Sequence, residues 1–226
     1  EEKMEERGVK ASMALGGIPA AIVEMHEKGL VRTVACSQSF DAVAAKAIVD
    51  YPGIIEIDNS LYANPARKGC MLNRETFGIL AALEVDIDFN VNILTGSNGE
   101  MMGGLGGGPD VAAGAQISIV VLPIVRGRIP SVVKKVFTCC TPGDTVAVVI
   151  TEAGIALNPN HKNYQELKED LEKTSLKLVT IEELRQTAEG LTGTPKPIEC
   201  TDKITCIVEY RDGTVLDVIR EIKKQD

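Results

Sequence analysis

A chain of 226 residues, 44% hydrophobic and 25% charged, is long enough for one large domain or two small ones, with a core that needs neither disulfide nor metal. A net charge of −8 argues against phosphate-backbone binding, and the absence of Trp with only 4% aromatic residues argues against base stacking, so no nucleic-acid partner is expected. No apolar run reaches membrane-spanning length and no signal peptide is visible, which points to a cytoplasmic protein without a membrane partner.

The cysteines, Cys36, Cys70, Cys139, Cys140, Cys200 and Cys206, form no Cys-x-x-Cys pair, and only His26 and His161 accompany them. That spacing speaks against zinc and for thiols in a reducing cytosol, so no metal is expected. The chain begins Glu1-Glu2-Lys3 without an initiator Met, which reads as a processed chain or a piece of a longer one.

In chain order, the charged opening segment is expected to fray. Pro19 suits a helix start, and Ala20 to Lys28 reads as a helix closed by Gly29. Val31 to Ala35 is a short strand, Asp41 to Val49 a helix stopped by Pro52-Gly53, and Ile54 to Ile57 a second strand. Asn59 to Cys70 is polar and irregular. Phe77 to Leu83, apolar throughout, reads as a strand buried on both faces. Next, Val85, Ile87, Phe89, Val91 and Ile93 alternate with Asp86, Asp88, Asn90 and Asn92. Strict period two predicts one strand with all four polar side chains on one face. Asp and Asn are poor generic strand residues, so that face suggests a lined site or an interface.

Ile117 to Leu122 reads as another buried strand and Arg126-Gly127-Arg128 as a basic turn. Lys135 to Cys140 and Thr145 to Ile150 read as strands split by Pro142-Gly143. Buried strands alternating with helical stretches indicate a mostly parallel α/β sheet. After Asn158-Pro159 the texture changes. Asn163 to Lys173 is an amphipathic charged helix, and Thr180-Ile181-Glu182-Glu183 is a capping box opening a helix that ends near Gly190. Ile204 to Tyr210 and Val215 to Ile219 flank the hairpin signal Asp212-Gly213. The expected organisation is an α/β domain over 1–160 with C-terminal helices and a hairpin, 161–226, packed on it.

The run Gly103-Gly104-Leu105-Gly106-Gly107-Gly108-Pro109-Asp110 places five glycines in six positions, after the alternating segment. Such a loop leaves backbone N–H groups uncovered, and paired N–H groups stabilise an oxyanion. Asp110 reads as the N-cap of a helix through Ala115. The run matches neither the dinucleotide fingerprint Gly-x-Gly-x-x-Gly nor a Walker loop, which needs Lys after Gly108. There is no Gly-x-Ser-x-Gly elbow. A Cys–His nucleophile pair stays open, with nothing in the sequence to single one out.

Several longer stretches carry a resemblance. They are Glu84 to Asn92, Thr95-Gly96-Ser97-Asn98-Gly99, the glycine loop with Asp110 to Ala115, Val125 to Pro130, Thr141-Pro142-Gly143, Val149 to Glu152, Gly154 to Pro159 and Tyr210-Arg211-Asp212-Gly213. In this order they resemble the citrate lyase alpha subunit family over nearly the whole chain, as its C-terminal half. The resemblance implies a coenzyme A transferase fold, with helices on both faces of a mostly parallel sheet. It implies a transferase that exchanges acetyl for citryl on the thioester of an acyl carrier protein, or on coenzyme A. The implied cofactor is a phosphopantetheine-type group on the carrier. Implied partners are the beta and gamma subunits of citrate lyase, the N-terminal half of the alpha subunit, and citrate, within an oligomer.

By the same resemblance, Gln38 stands where related coenzyme A transferases carry a nucleophilic glutamate just after an early strand. An amide cannot form an acyl-glutamyl anhydride, which implies direct attack of a citrate carboxylate on the thioester, with Gln38 orienting the reactants. The N–H groups near Gly106 and Gly107 are the expected oxyanion donors. Gly103, Gly104, Gly108, Asp110, Asn90 and Asn92 are expected to contact substrate or coenzyme A. Gly108 departs from the His that the family often has there. Arg126, with Arg67, Lys68, Arg74 and Arg128, is a candidate for carboxylate or phosphate contacts. Glu152 is either a supporting polar group or a loop opener. Two alternatives stay open: an acyl-CoA hydrolase or coenzyme A transferase acting on another carboxylate, and an inactive half-subunit serving assembly.

Overall fold

The computed structural model describes residues 1–96 and 98–223, so Ser97 of the Thr95 to Gly99 motif lies outside the described residues. Two compact units emerge, Glu1–Arg74 and Glu75–Asp226. The change of texture expected at 160/161 falls inside the second unit.

The first unit opens with helix α1 (Glu2–Arg7), where the sequence suggested fraying. A parallel three-stranded sheet follows, in the order β1 (Ala11–Ile18), β2 (Val31–Ser39), β3 (Ile54–Glu56). Helices α2 (Ala20–Glu27) and α3 (Ala42–Asp50) connect the strands, and the single turn α4 (Asn59–Tyr62) follows β3. Ile18, Val23, Val31, Val34, Ala44, Ala47 and Ile54 form the core, so strands and helices bury one continuous apolar seam. Strand β1 is not legible in the sequence, because Gly16 and Gly17 dilute its apolar pattern. Those glycines admit aromatic rings: a Cβ on Gly17 would stand 2.1 Å from Phe40 Cζ.

The second unit is built on a five-stranded sheet. Its strands in chain order are β4 (Phe77–Ala81), then, after the short pair β5 (Glu84–Asp86) and β6 (Val91–Asn92) and the helix α5 (Gly108–Gly114), β7 (Ile117–Val121). The segments β8 (Val125–Arg126), β9 (Ile129–Pro130) and β10 (Val132–Val133) precede β11 (Val148–Thr151) and β12 (Gly154–Leu157). Helix α6 (Tyr164–Glu172), strand β13 (Leu178–Val179), helix α7 (Ile181–Thr192) and the hairpin β14 (Cys200–Glu209)–β15 (Val215–Ile222) complete it. The sheet order is β13-β12-β11-β7-β4, parallel except where β11 and β12 pair antiparallel. The core joins Val120, Val149 and Ala156 of this sheet to Leu184 and Ala188 of α7. The capping box that opens α7 forms as expected, and Gly193 closes the helix at φ 82°. The architecture is α/β, as the alternation of strands and helices indicated.

Three strand expectations are corrected. β4 is an edge strand of its sheet, with Phe77 57% and Ile79 73% exposed, not a strand buried on both faces. Lys135 to Cys140 is not a regular strand: the chain there runs irregularly, with Cys140 N–H donating to Val91 O at 2.8 Å. The alternating segment Val85 to Ile93 is a tight antiparallel hairpin rather than one strand, with Val85 facing Val91 and Glu84 facing Asn92. Phe89 reverses the chain at φ 65° while its ring is buried at 2% exposure. Alternation survives the reversal because Val85, Phe89 and Val91 enter one core and Ile93 packs against it, while Ile87 lines a groove.

Candidate functional site

The glycine loop occupies residues 103–107 of the second unit, between an isolated bridge joining Thr95 to Met101 and the start of α5. It therefore follows a hairpin and a turn, not the single alternating strand that the sequence suggested. Helix α5 begins at Gly108 with Gly107 as N-cap, so Asp110 is the third helical residue and not the cap. Pro109 accounts for the earlier start, since its fixed φ suits the first helical turn.

Gly103, Gly104, Gly106 and Gly107 are exposed. A Cβ at Gly103, Gly104 or Gly106 would meet nothing within 4 Å, so internal packing does not demand glycine at these places. Gly106 is left-handed at φ 59°, a conformation that does favour glycine. Among the described residues, the N–H groups of Gly103, Gly104, Gly106 and Gly107 form no backbone hydrogen bond. Open amides on an exposed ribbon are the donor arrangement that a developing oxyanion requires.

The loop is held from beneath. Leu105 packs against the cluster of Leu94, Cys140, Val208 and Ile219, which draws on both strands of the C-terminal hairpin. Asp110, 7% exposed, receives Arg211 Nε at 3.0 Å and Nη2 at 2.6 Å. Its carboxylate is thus turned to a protein guanidinium. Tyr210 lies beside the pair, and burial, followed by the charge of Asp110, pushes its hydroxyl up to about 12.

The polar residues of the β5–β6 hairpin serve its own turn. Asp86 Oδ1 accepts N–H groups from Asp88 at 3.0 Å and Asn90 at 2.9 Å, and Oδ2 accepts Val136 N–H at 3.2 Å and Asn90 Nδ2 at 3.2 Å. Burial raises its pKa despite these donors. Asn92, fully buried, donates to Glu84 and to Thr95 O, and its carbonyl accepts N–H groups from Leu94 and Thr95. The amide of Asn92 is thus used internally, with no face reaching solvent. Asn90 Oδ1 accepts Gly143 N–H at 2.9 Å. Glu84, Asp86, Asp88 and Asn90 line a groove of about 880 Å³ with Lys134 and Phe137, and the glycine loop takes no part in its walls.

Gln38 belongs to the first unit. It is exposed, lies within β2 rather than after it, and pairs in register with Gly17 at the carboxyl ends of two parallel strands. Asp41 fixes this rim by accepting Ala44 N–H at 2.8 Å and Ala20 N–H at 2.7 Å, one helix start on each oxygen. Arg67, Lys68 and Arg74 belong to the same unit, with Arg67 donating to Ser60 at 3.3 Å. Arg126 and Arg128 sit on the β8–β9 hairpin of the second unit, which packs on α7. Glu152 accepts Ile124 N–H at 2.9 Å and so braces a loop. Burial, followed by the charges of Asp217 and Asp86, pushes the Cys139 thiol up to about 12, so it is no thiolate nucleophile at neutral pH. Among the described residues, no group of three or more His, Cys, Asp or Glu could hold a metal ion, and no helix is long and apolar enough to cross a membrane.

Sequence reading missed the partnership of the loop with Arg211. The dipeptide Tyr210-Arg211 stood out only by resemblance, and nothing in local pattern connects it with Asp110, 101 residues away.

Comparison with known proteins adds the family. The model of the citrate lyase alpha subunit matches residues 1–222. The citrate lyase alpha chain of Klebsiella pneumoniae is 50% identical over 226 residues, which is 100% of this chain and 44% of that one. The crystal structure of an alpha subunit of citrate lyase from Streptococcus mutans, in complex with citrate, is similar at a TM-score of 0.93 and 44% identity, covering 99% of this chain and 43% of that one. The malonate decarboxylase alpha subunit of Acinetobacter baumannii shares the fold at a TM-score of 0.54 and 15% identity, over 86% of this chain and 48% of that one. The chain thus spans less than half the length of the curated relatives it matches.

Proposed function

The chain belongs to the citrate lyase alpha subunit family, and from that premise we propose that it carries part of a transferase site that exchanges acetyl for citryl on a thioester. The thioester is that of a phosphopantetheine-type arm on an acyl carrier protein, or of coenzyme A. The observation that carries the reading is the exposed ribbon 103–107 with its open amides.

The exchange has two steps. A citrate carboxylate oxygen attacks the acetyl thioester carbonyl, forming a C–O bond, and the C–S bond breaks to give a mixed anhydride and a thiolate. The thiolate then attacks the citryl carbonyl of the anhydride, and acetate leaves with the electrons of the broken C–O bond. No net proton or electron is consumed. Both steps pass through a tetrahedral oxyanion, which N–H groups of Gly106 and Gly107 stabilise by about 3–4 kcal/mol per donor. Gly103, Gly104 and Gly108 leave the ribbon narrow enough for an acyl chain to approach the backbone. Gln38 orients a reactant by hydrogen bonding, since its amide cannot serve as an acyl-accepting nucleophile. Arg126 is proposed as a contact for a carboxylate or phosphate.

The test supplies this chain with the remaining portion of the alpha subunit and follows acetate release from acetyl carrier protein plus citrate. Release that depends on citrate, and that is lost in Gly106→Val, supports the reading. No gain in rate over the carrier alone would favour a role in assembly.

A further inference from the structure

We propose that Arg211, at the tip of the C-terminal hairpin, is a positioning residue for the glycine loop, clamping Asp110 and cancelling its charge beneath the loop's open amides. The proposal rests on the reading of that loop as an oxyanion site.

Two contacts tie the loop to one hairpin. Leu105, between Gly104 and Gly106, packs against the cluster of Leu94, Cys140, Val208 and Ile219, the last two on the hairpin. Asp110, three residues beyond the N-cap Gly107, is held by the fork of Arg211 at 3.0 and 2.6 Å. The hairpin tip is itself braced, with Gly213 N–H donating to Tyr210 O at 2.9 Å and Thr214 N–H donating to Asp212 Oδ1 at 2.9 Å. A planar two-point grip fixes direction as well as distance, which a lysine cannot do.

Charge makes the clamp more than a fastening. A site that stabilises an oxyanion is harmed by an uncompensated carboxylate nearby, and low local polarity magnifies the harm. Asp110 is the one charged residue of α5, and α5 packs on β4 and β7, whose segments 77–81 and 117–121 carry no charge. Arg211 is the cation bonded to it, and its side chain is 37% exposed against 10% for Asp110.

The experiment uses the full-length alpha subunit with its carrier protein. It measures amide hydrogen exchange at the two ends of the loop, where Met102 N–H donates to Leu94 O at 2.7 Å and Val111 N–H donates to Gly107 O at 2.9 Å, together with kcat and KM for citrate. The variants are Arg211→Ala, Arg211→Lys and the double variant Asp110→Asn/Arg211→Ala, with Lys203→Ala on the hairpin's outer ion pair as control. Arg211→Ala should speed exchange at Met102 and Val111 and lower kcat about tenfold or more with KM for citrate little changed, because an oxyanion contact acts in the transition state. The double variant should regain much of the lost kcat, since it removes the bare charge. That rescue is not expected of a merely structural ion pair. Should Arg211→Ala fail to fold, Arg211→Lys keeps the charge while losing the fork, and should show faster loop exchange with a smaller loss of kcat. Unchanged exchange at both Met102 and Val111 in both single variants overturns the proposal. Faster exchange with normal kcat supports the positioning and overturns the catalytic reading of the loop.

Discussion

Gly143 lies against the β5–β6 turn so closely that a Cβ on it would stand 1.9 Å from the Asp88 carbonyl oxygen. Its N–H meanwhile donates to Asn90 Oδ1 at 2.9 Å. The obstacle is backbone, not a movable side chain. Gly143→Ala should therefore destabilise the second unit by about 3 kcal/mol, at the high end for overpacking. Urea denaturation would show a lower midpoint; an unchanged midpoint would mean that the turn shifts freely.

The loop glycines should divide in the opposite sense. Gly103→Ala and Gly104→Ala meet open space and should leave the melting temperature unchanged. Gly106→Val places a branched residue in the left-handed region at a cost of about 1–2 kcal/mol. It should slow thioester exchange about 10²–10³-fold. Calorimetry and acetate release on the same preparations separate the two effects, and a normal exchange rate would end the oxyanion assignment of Gly106.

Asp86 makes stability depend on pH with a definite sign. Burial raises its folded pKa above the unfolded value, so the folded state binds its proton more tightly. Its contribution therefore falls as pH rises from the ordinary aspartate value through the raised one, and is constant above both. Asp86→Asn should abolish that component. It should also cost about 1–3 kcal/mol, because an amide NH2 would face donors that the carboxylate now accepts. Denaturation midpoints at several pH values, wild type against variant, check both statements.

Asp41 has the opposite sign. N–H groups from Ala44 and then Ala20 hold its pKa low, so its stabilisation is present above the unfolded value and lost as pH falls through the folded one. Asp41→Ala should free both helix starts together. Hydrogen exchange at Ala20 and Ala44 should rise in concert; a rise at one alone would break the link between the two caps.

Gln38 carries a chemical prediction. Borohydride added after incubation with acyl thioester should leave activity intact, because an amide forms no reducible acyl-enzyme. Gln38→Glu should make the protein sensitive. Inactivation of the wild type would show that the transfer is covalent.

Local sequence was enough where the chain answers to neighbours a few residues away. The capping box Thr180–Glu183 and the Asp212-Gly213 hairpin are each satisfied within a few residues of backbone, and both are present. The glycine run likewise announced open amides, since glycine lacks the side chain that would cover them. The alternation over Val85 to Ile93 misled because period two is the signature of facing one core, and a hairpin satisfies it as well as a strand. Tertiary structure alone decided that Asn92 and Asp86 spend their polarity inward, that Ile79 lies open, and that Asp110 meets Arg211 across 101 residues. Such pairings depend on which distant segment the folded chain brings within about 3 Å, a fact that short-range periodicity does not encode.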